Sequence, residues 1–244
     1  MHQLNKIYNL IVEELETAGK KSKYIADANE PDERYKSYGV RAKGKKEIIT
    51  KFKKQISLLS QAQQIQLATK LMKSKYGEQQ SVALSILEKF PSYFSPEYFT
   101  QLDILIRCIH GWSKVDSFSG TLLRDILFSY PTHFIKLVKL WNQDEDIWLR
   151  RTSVVLFTRK VAKSGKFTST ALEMCDHLIF DKEPLVLKGV GWALKDLMKT
   201  DRKIILEYLK DLRKNGVSSI VTLYAIRDLK EEERAKVLSI KKAE

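Results

Sequence analysis

Pro184-Leu185-Val186-Leu187-Lys188-Gly189-Val190-Gly191-Trp192-Ala193-Leu194-Lys195-Asp196-Leu197-Met198-Lys199 is the stretch from which the rest of the chain is read. It opens on a proline, which a first helical turn tolerates because the N–H it lacks has no partner inside the helix. Its apolar residues then recur at helical spacing and not at the alternation of a strand. Gly189 and Gly191 each weaken a helix, so a close approach of another segment is expected at them.

The same pattern extends in both directions. Leu4, Tyr8, Ile11, Val12 and Leu15 form a first stripe that ends near Gly19. Residues 20–40 are polar and irregular, with Tyr24, Tyr35 and Tyr38 scattered through them. Ile48, Ile49, Phe52 and Ile56 form the next stripe, followed by Ile65, Leu67, Leu71 and Met72, and after Gly77 by Val82, Leu84, Ile86 and Leu87. Pro91, Pro96, Pro131 and Pro184 fall at the breaks. The spacing predicts further helices over roughly 97–109, 114–129, 131–141, 145–163, 168–180, 184–199, 202–213, 216–228 and 230–241. Short helices joined by short connectors predict an all-α fold, an α-solenoid of HEAT-like helical repeats, whose concave face, where basic, can cradle a DNA duplex backbone. The repeat comes near the forty residues or so of HEAT and armadillo units. One domain over residues 1–244 is expected; a compact helical bundle without a repeat is the alternative.

Composition agrees. With 43% hydrophobic and 10% aromatic residues the chain buries a core. Ten glycines and five prolines supply too few tight turns for a β-sandwich. The net charge of +13, from 43 Lys and Arg against 30 Asp and Glu, points to a polyanion. Solubility alone explains a surplus but not its clustering. Arg41, Lys43, Lys45, Lys46, Lys51, Lys53 and Lys54 crowd one stretch, and Arg159, Lys160, Lys163 and Lys166 another. Two distant cysteines, Cys108 and Cys175, are not a disulfide framework and fit a reducing compartment. No apolar run is long enough for a membrane span, and the first residues lead into an amphipathic helix rather than a signal peptide. A cytoplasmic location, nucleoid-associated on DNA, is expected, with a nuclear one left open. No metal site is expected: Cys108/His110 and Cys175/His177 are two residues apart, and on a helix such residues diverge. Neither a phosphate-binding glycine loop nor a dinucleotide fingerprint is present, and no cofactor is expected.

Three segments carry groups suited to chemistry. Trp112 and Asp116 stand four residues apart, a spacing that shares a helix face. Asp116 also precedes a helical run, and helix capping is the ordinary reading of an Asp so placed. Arg151 sits at the centre of the stripe Ile147, Val154, Val161, where its guanidinium needs an acceptor or an open groove. Asp116, a phosphate, or a carboxylate on an adjacent helix could serve, and Arg150, nearer the edge, could substitute. Trp112 and Trp192 have the usual core reading of a lone tryptophan beside the functional one.

Gly111-Trp112-Ser113-Lys114-Val115-Asp116-Ser117 resembles the Trp-x-x-Val-Asp segment of the DNA alkylation repair enzyme family, the AlkD type. Ile147-Trp148-Leu149-Arg150-Arg151-Thr152 resembles its Trp-Leu-x-Arg segment, and Gly191-Trp192-Ala193-Leu194-Lys195-Asp196 its Gly-Trp-x-Leu-Arg segment. Order and approximate separation agree, and Tyr35-Lys36-Ser37-Tyr38-Gly39-Val40 matches an early family segment loosely. The resemblance implies HEAT-like repeats and a monofunctional glycosylase that removes N3- or N7-alkylated purines from double-stranded DNA during base excision repair. By motif, Asp116 would be the catalytic carboxylate and Trp112 and Trp192 would contact the sugar and backbone at the lesion. Arg151, which directly precedes Thr152, would hold a neighbouring phosphate. Arg150 and Lys188 are further candidates for DNA contact, and Arg41, Lys43, Lys45 and Lys46 for phosphates. Most glycosylases extrude their base; the resemblance implies action on the stacked lesion. A monomer without an obligate protein partner is expected. The competing readings are a non-catalytic solenoid that binds distorted or branched DNA, and a protein-interaction scaffold.

Overall fold

Leu4, Ile7, Ile11 and Leu15 are the buried residues of the first helix, His2–Lys20. Their spacing of three and four places them on one face, which is why this segment folds against its neighbours and not alone. The computed structural model describes residues 2–22 and 35–241. Of the irregular stretch expected over 20–40, Tyr24 and the rest of 23–34 lie outside the described residues.

The chain divides into two compact units, Met1–Tyr130 and Pro131–Glu244. In the first, helix Ala42–Ser57 buries Ile48, Phe52 and Ile56. Helix Gln61–Met72 starts at a capping box in which Ser60 and Gln63 satisfy each other's backbone N–H groups at 3.3 and 3.0 Å. It packs on helix Gly77–Leu87. After 3-10 turns at Pro91–Tyr93 and Pro96–Tyr98 comes helix Phe99–Ile106. The unit closes with helix Trp112–Phe118, a π-helical turn Ser119–Leu123 and helix Arg124–Ser129, which follow one another without a break.

In the second unit, helices Pro131–Asn142 and Ile147–Val155 pair across a short connector, as do Thr168–Leu178 and Pro184–Leu197. Arg202–Lys214 and Ser219–Ala225 follow, then Glu231–Leu238. Helix Pro184–Leu197 is the hub. It packs on Ile147–Val155, Thr168–Leu178 and, most closely, Ser219–Ala225. The expected close approach is at Gly191, where a Cβ would lie 2.7 Å from the Tyr224 Cβ and 2.8 Å from the Val221 carbonyl oxygen. Gly189 meets Val154 and Val155 at 3.2 and 3.3 Å.

The all-α expectation holds; the β-type contact among the described residues is an isolated bridge between Lys36 and Tyr76. Two expected spans differ. The helix expected over 114–129 begins at Trp112 instead, because Gly111, at φ 91° and ψ 134°, takes the N-cap position. Asp116 therefore sits in the interior of that helix, and the capping reading of it is wrong. The helix expected over 145–163 is two, Ile147–Val155 and Arg159–Lys163, with Thr158 extended between them and Arg159, at φ 53°, opening the second.

Candidate active site

In the first unit, Gly111 turns the chain so that Trp112 is the first residue of its helix and Asp116 follows one turn later. The spacing keeps both on one side of the helix. Trp112 is 45% exposed, while Asp116 is 7% exposed. An aromatic surface open to solvent thus adjoins a carboxylate withdrawn from it. The π-helical turn Ser119–Leu123 begins three residues after Asp116; such widened turns cost backbone regularity and concentrate at functional sites.

Helix Gly77–Leu87 packs against this helix. A Cβ at Gly77 would lie 3.0 Å from the Lys114 Cε and 2.8 Å from the Tyr35 ring, so Tyr35, Gly77 and the buried Lys114 form one contact. The segment after Tyr35 is pinned by Glu78, which the sequence reading overlooked. Its buried carboxylate accepts from the Ser37 hydroxyl at 2.6 Å and from the amides of Tyr38 and Val40 at 3.2 and 3.1 Å. Tyr38 stacks on Tyr76 with centroids 4.0 Å apart and takes a 2.7 Å bond from Gln79. Burial pushes the Tyr38 hydroxyl up to about 12 despite that bond, so it stays protonated. Arg41 stands at the N-cap of helix Ala42–Ser57 and is exposed, as are Lys43 and Lys46, with Lys45 half-buried.

In the second unit, Asp146 caps helix Ile147–Val155 by accepting from the Trp148 amide at 2.8 Å, an interaction worth about 1 kcal/mol. That helix carries Arg150 and Arg151 to different tasks. Arg150 pairs with Asp181 at 2.6 Å and donates to the carbonyls of Asp144 and Glu145 at 2.9 and 2.8 Å. It ties two connectors together, an architectural role. Arg151 is buried and donates through Nη1 to the Leu185 carbonyl in the first turn of helix Pro184–Leu197. No side chain caps that turn, which begins at Pro184 after Glu183 in the N-cap position. Arg151 is thereby brought to the helix that bears Trp192 and the exposed Lys188, which precedes Trp192 by one turn.

Trp192 is half-buried and donates from Nε1 to Asp196 Oδ2 at 3.0 Å. The same oxygen accepts from the Arg159 amide at 2.8 Å. Lys199 and Lys195 approach Oδ1 at 2.9 and 3.4 Å, and Lys195 also pairs with Asp228 at 3.0 Å. Burial works to raise the Asp196 carboxyl, but the Arg159 amide and the two lysines outweigh it and hold the group below the usual carboxylate range. The Arg159 guanidinium lies 4.7 Å from the Trp192 ring centroid. The sequence reading overlooked Arg159 and Asp196 in these roles, although Trp192 and Asp196 repeat the spacing of Trp112 and Asp116.

The cysteine–histidine pairs lead elsewhere. Cys108 and His110 follow the end of helix Phe99–Ile106, so the helical argument applies only to Cys175 and His177. Cys175 is buried, and the His177 ring pairs with Asn142 at 2.9 Å.

A family profile described as DNA alkylation repair enzyme matches residues 11–229, which contain every segment just described. The chain belongs to the DNA alkylation repair enzyme family. A solved structure from Enterococcus faecalis, described as a predicted DNA alkylation repair enzyme, is similar with a TM-score of 0.68 and 17% sequence identity. The match covers 81% of this chain and 90% of that one. At that identity the likeness speaks for the fold. No curated protein matches the chain in sequence. The family assigns this all-α chain a role in the repair of alkylated DNA. Among the described residues no helix is long and apolar enough to cross a membrane.

Proposed function

We propose that this repair enzyme is a monofunctional DNA glycosylase that hydrolyses the N-glycosidic bond of cationic N3- or N7-alkylpurines in duplex DNA without extruding the base. The observation that carries the reading is the pairing of a half-exposed Trp112 with a buried Asp116 one turn on, beside a π-helical turn, in a member of this family. An alkylated, positively charged purine takes the bonding pair as it leaves and becomes neutral, so no general acid is required. Positive charge meanwhile builds on the deoxyribose. Asp116 stabilises it and orients the water that adds to C1′, and that water's proton passes to the carboxylate or to solvent.

Trp112 and Trp192 hold the sugar and the lesion cation against aromatic faces. Arg151, fixed by Leu185, and the exposed Lys188 serve the flanking phosphates, and Arg41, Lys43, Lys45 and Lys46 add charge along the duplex. Arg150 keeps to its pair with Asp181. We read the helix pairs as HEAT-like repeats and the 244 residues as one repair domain acting as a monomer, nucleoid-associated when on DNA.

The test is release of 7-methylguanine from duplex DNA by the wild type and by Asp116→Asn. Release by the first and not by the second, with DNA binding kept, supports the reading. No release by the wild type despite tight, salt-sensitive binding would move the protein to recognition of DNA structure instead.

A further inference from the structure

Arg159 is, among the described residues, the one non-glycine with positive φ, at 53°. That conformation costs an L-residue about 1–2 kcal/mol, whereas glycine adopts it freely. The backbone at this position therefore favours glycine, and the arginine is kept there by the contacts around it. Its guanidinium is 4.7 Å from the Trp192 ring centroid. Its amide donates to Asp196 Oδ2 at 2.8 Å, the atom that also takes the Trp192 Nε1–H at 3.0 Å. Lys199 and Lys195 fix that carboxylate from its other oxygen. The contact of Gly191 with Tyr224 removes slack from the helix beneath. The indole is thus pinned along its N–H edge by Asp196 and covered on one face by a cation, and Arg159 itself is exposed.

We propose that Arg159 is a positioning residue that, anchored by Asp196, presets the Trp192 indole for the lesion-bearing nucleotide. This rests on the glycosylase reading given above. A side chain preset before binding loses less freedom on engaging the substrate and meets the reacting sugar in one orientation. Arg159 acts through Trp192 and is assigned no contact with the reacting atoms.

Arg159→Gly separates this role from a structural one, because it relieves the backbone, keeps the amide bond to Asp196 and removes the side chain with its guanidinium. Three quantities are read on the full chain: the melting temperature, acrylamide quenching of Trp192 fluorescence obtained by subtracting the Trp192→Phe signal, and single-turnover release of 7-methylguanine from duplex DNA. The expected result is a melting temperature equal to or above the wild type, a more quenchable Trp192, and a release rate lowered about tenfold while the DNA Kd rises less than about threefold. Arg159→Lys, which keeps a cation over the ring, recovers most of the rate. Unchanged quenching and rate in Arg159→Gly would overturn the proposal, as would a lowered melting temperature with unchanged quenching. If the wild type releases no base, the glycosylase reading fails by itself, and the quenching and melting results still decide whether Arg159 presets the indole.

Discussion

Two helices of this protein carry a tryptophan followed four residues later by an aspartate, and the two pairs meet different fates. In Trp112–Phe118 the indole is 45% exposed and the carboxylate is buried, three residues before a π-helical turn. In Pro184–Leu197 the indole is bonded to the carboxylate, and a backbone amide and two lysines converge on that carboxylate. Asp196 is an anchor whose charge is spent on holding its neighbours. Trp112 and Asp116 share a helix face on which the indole is open to solvent. A shared helix face is dictated by spacing alone; what other segments bring to each pair is not.

Asparagine or alanine at these two positions tests the contrast most sharply. Asp116→Asn is expected to lower base release by about 10³-fold or more, the scale of losing a charge that stabilises the transition state, with DNA affinity within a few-fold of wild type by fluorescence anisotropy. Asp196→Ala is expected instead to cost about 3 kcal/mol in urea unfolding, because it strands the Arg159 amide, the indole N–H and part of the Lys195 pairing. Gly191→Ala drives a methyl into Tyr224 and Val221 and should cost roughly 1–3 kcal/mol, seen as a lower melting temperature.

The acid limb of stability follows from the same anchor. The Asp196 carboxyl is held below its usual range when folded, so its contribution is complete above about pH 4, the ordinary carboxylate value. It is lost as pH falls through the lowered folded value. Asp196→Asn should flatten the unfolding profile in that window and lower stability by a constant amount near neutrality. The smallest effect is expected from the basic stretch of the first unit: Lys43→Ala should weaken DNA binding without regard to sequence and reduce the magnitude of the salt slope by about 1.

Most of the helices were legible because apolar periodicity is a local property, and Pro131 and Pro184 mark starts that the structure keeps. Gly189 and Gly191 were legible for the same reason, as residues a helix would not choose without a neighbour close by. The break between Val155 and Arg159 was not. No proline or glycine marks it, and apolar spacing runs on to Val161. It is held open by a bond to Asp196, 37 residues away, which no local pattern contains. Asp116 was legible as a candidate but its capping role was misread, since Gly111 and not the aspartate starts the helix. Glu78 carried no local signal, because its partners Ser37, Tyr38 and Val40 lie about forty residues upstream.

The central claim is that Asp116 does the chemistry and Asp196 holds the structure. It is tested most directly by single-turnover release of 7-methylguanine from duplex DNA by the wild type, Asp116→Asn and Asp196→Asn side by side, each with its melting curve. The account predicts no measurable release by Asp116→Asn at a near-wild-type melting temperature, and reduced but measurable release by Asp196→Asn at a lowered one. Wild-type release by Asp116→Asn would contradict it.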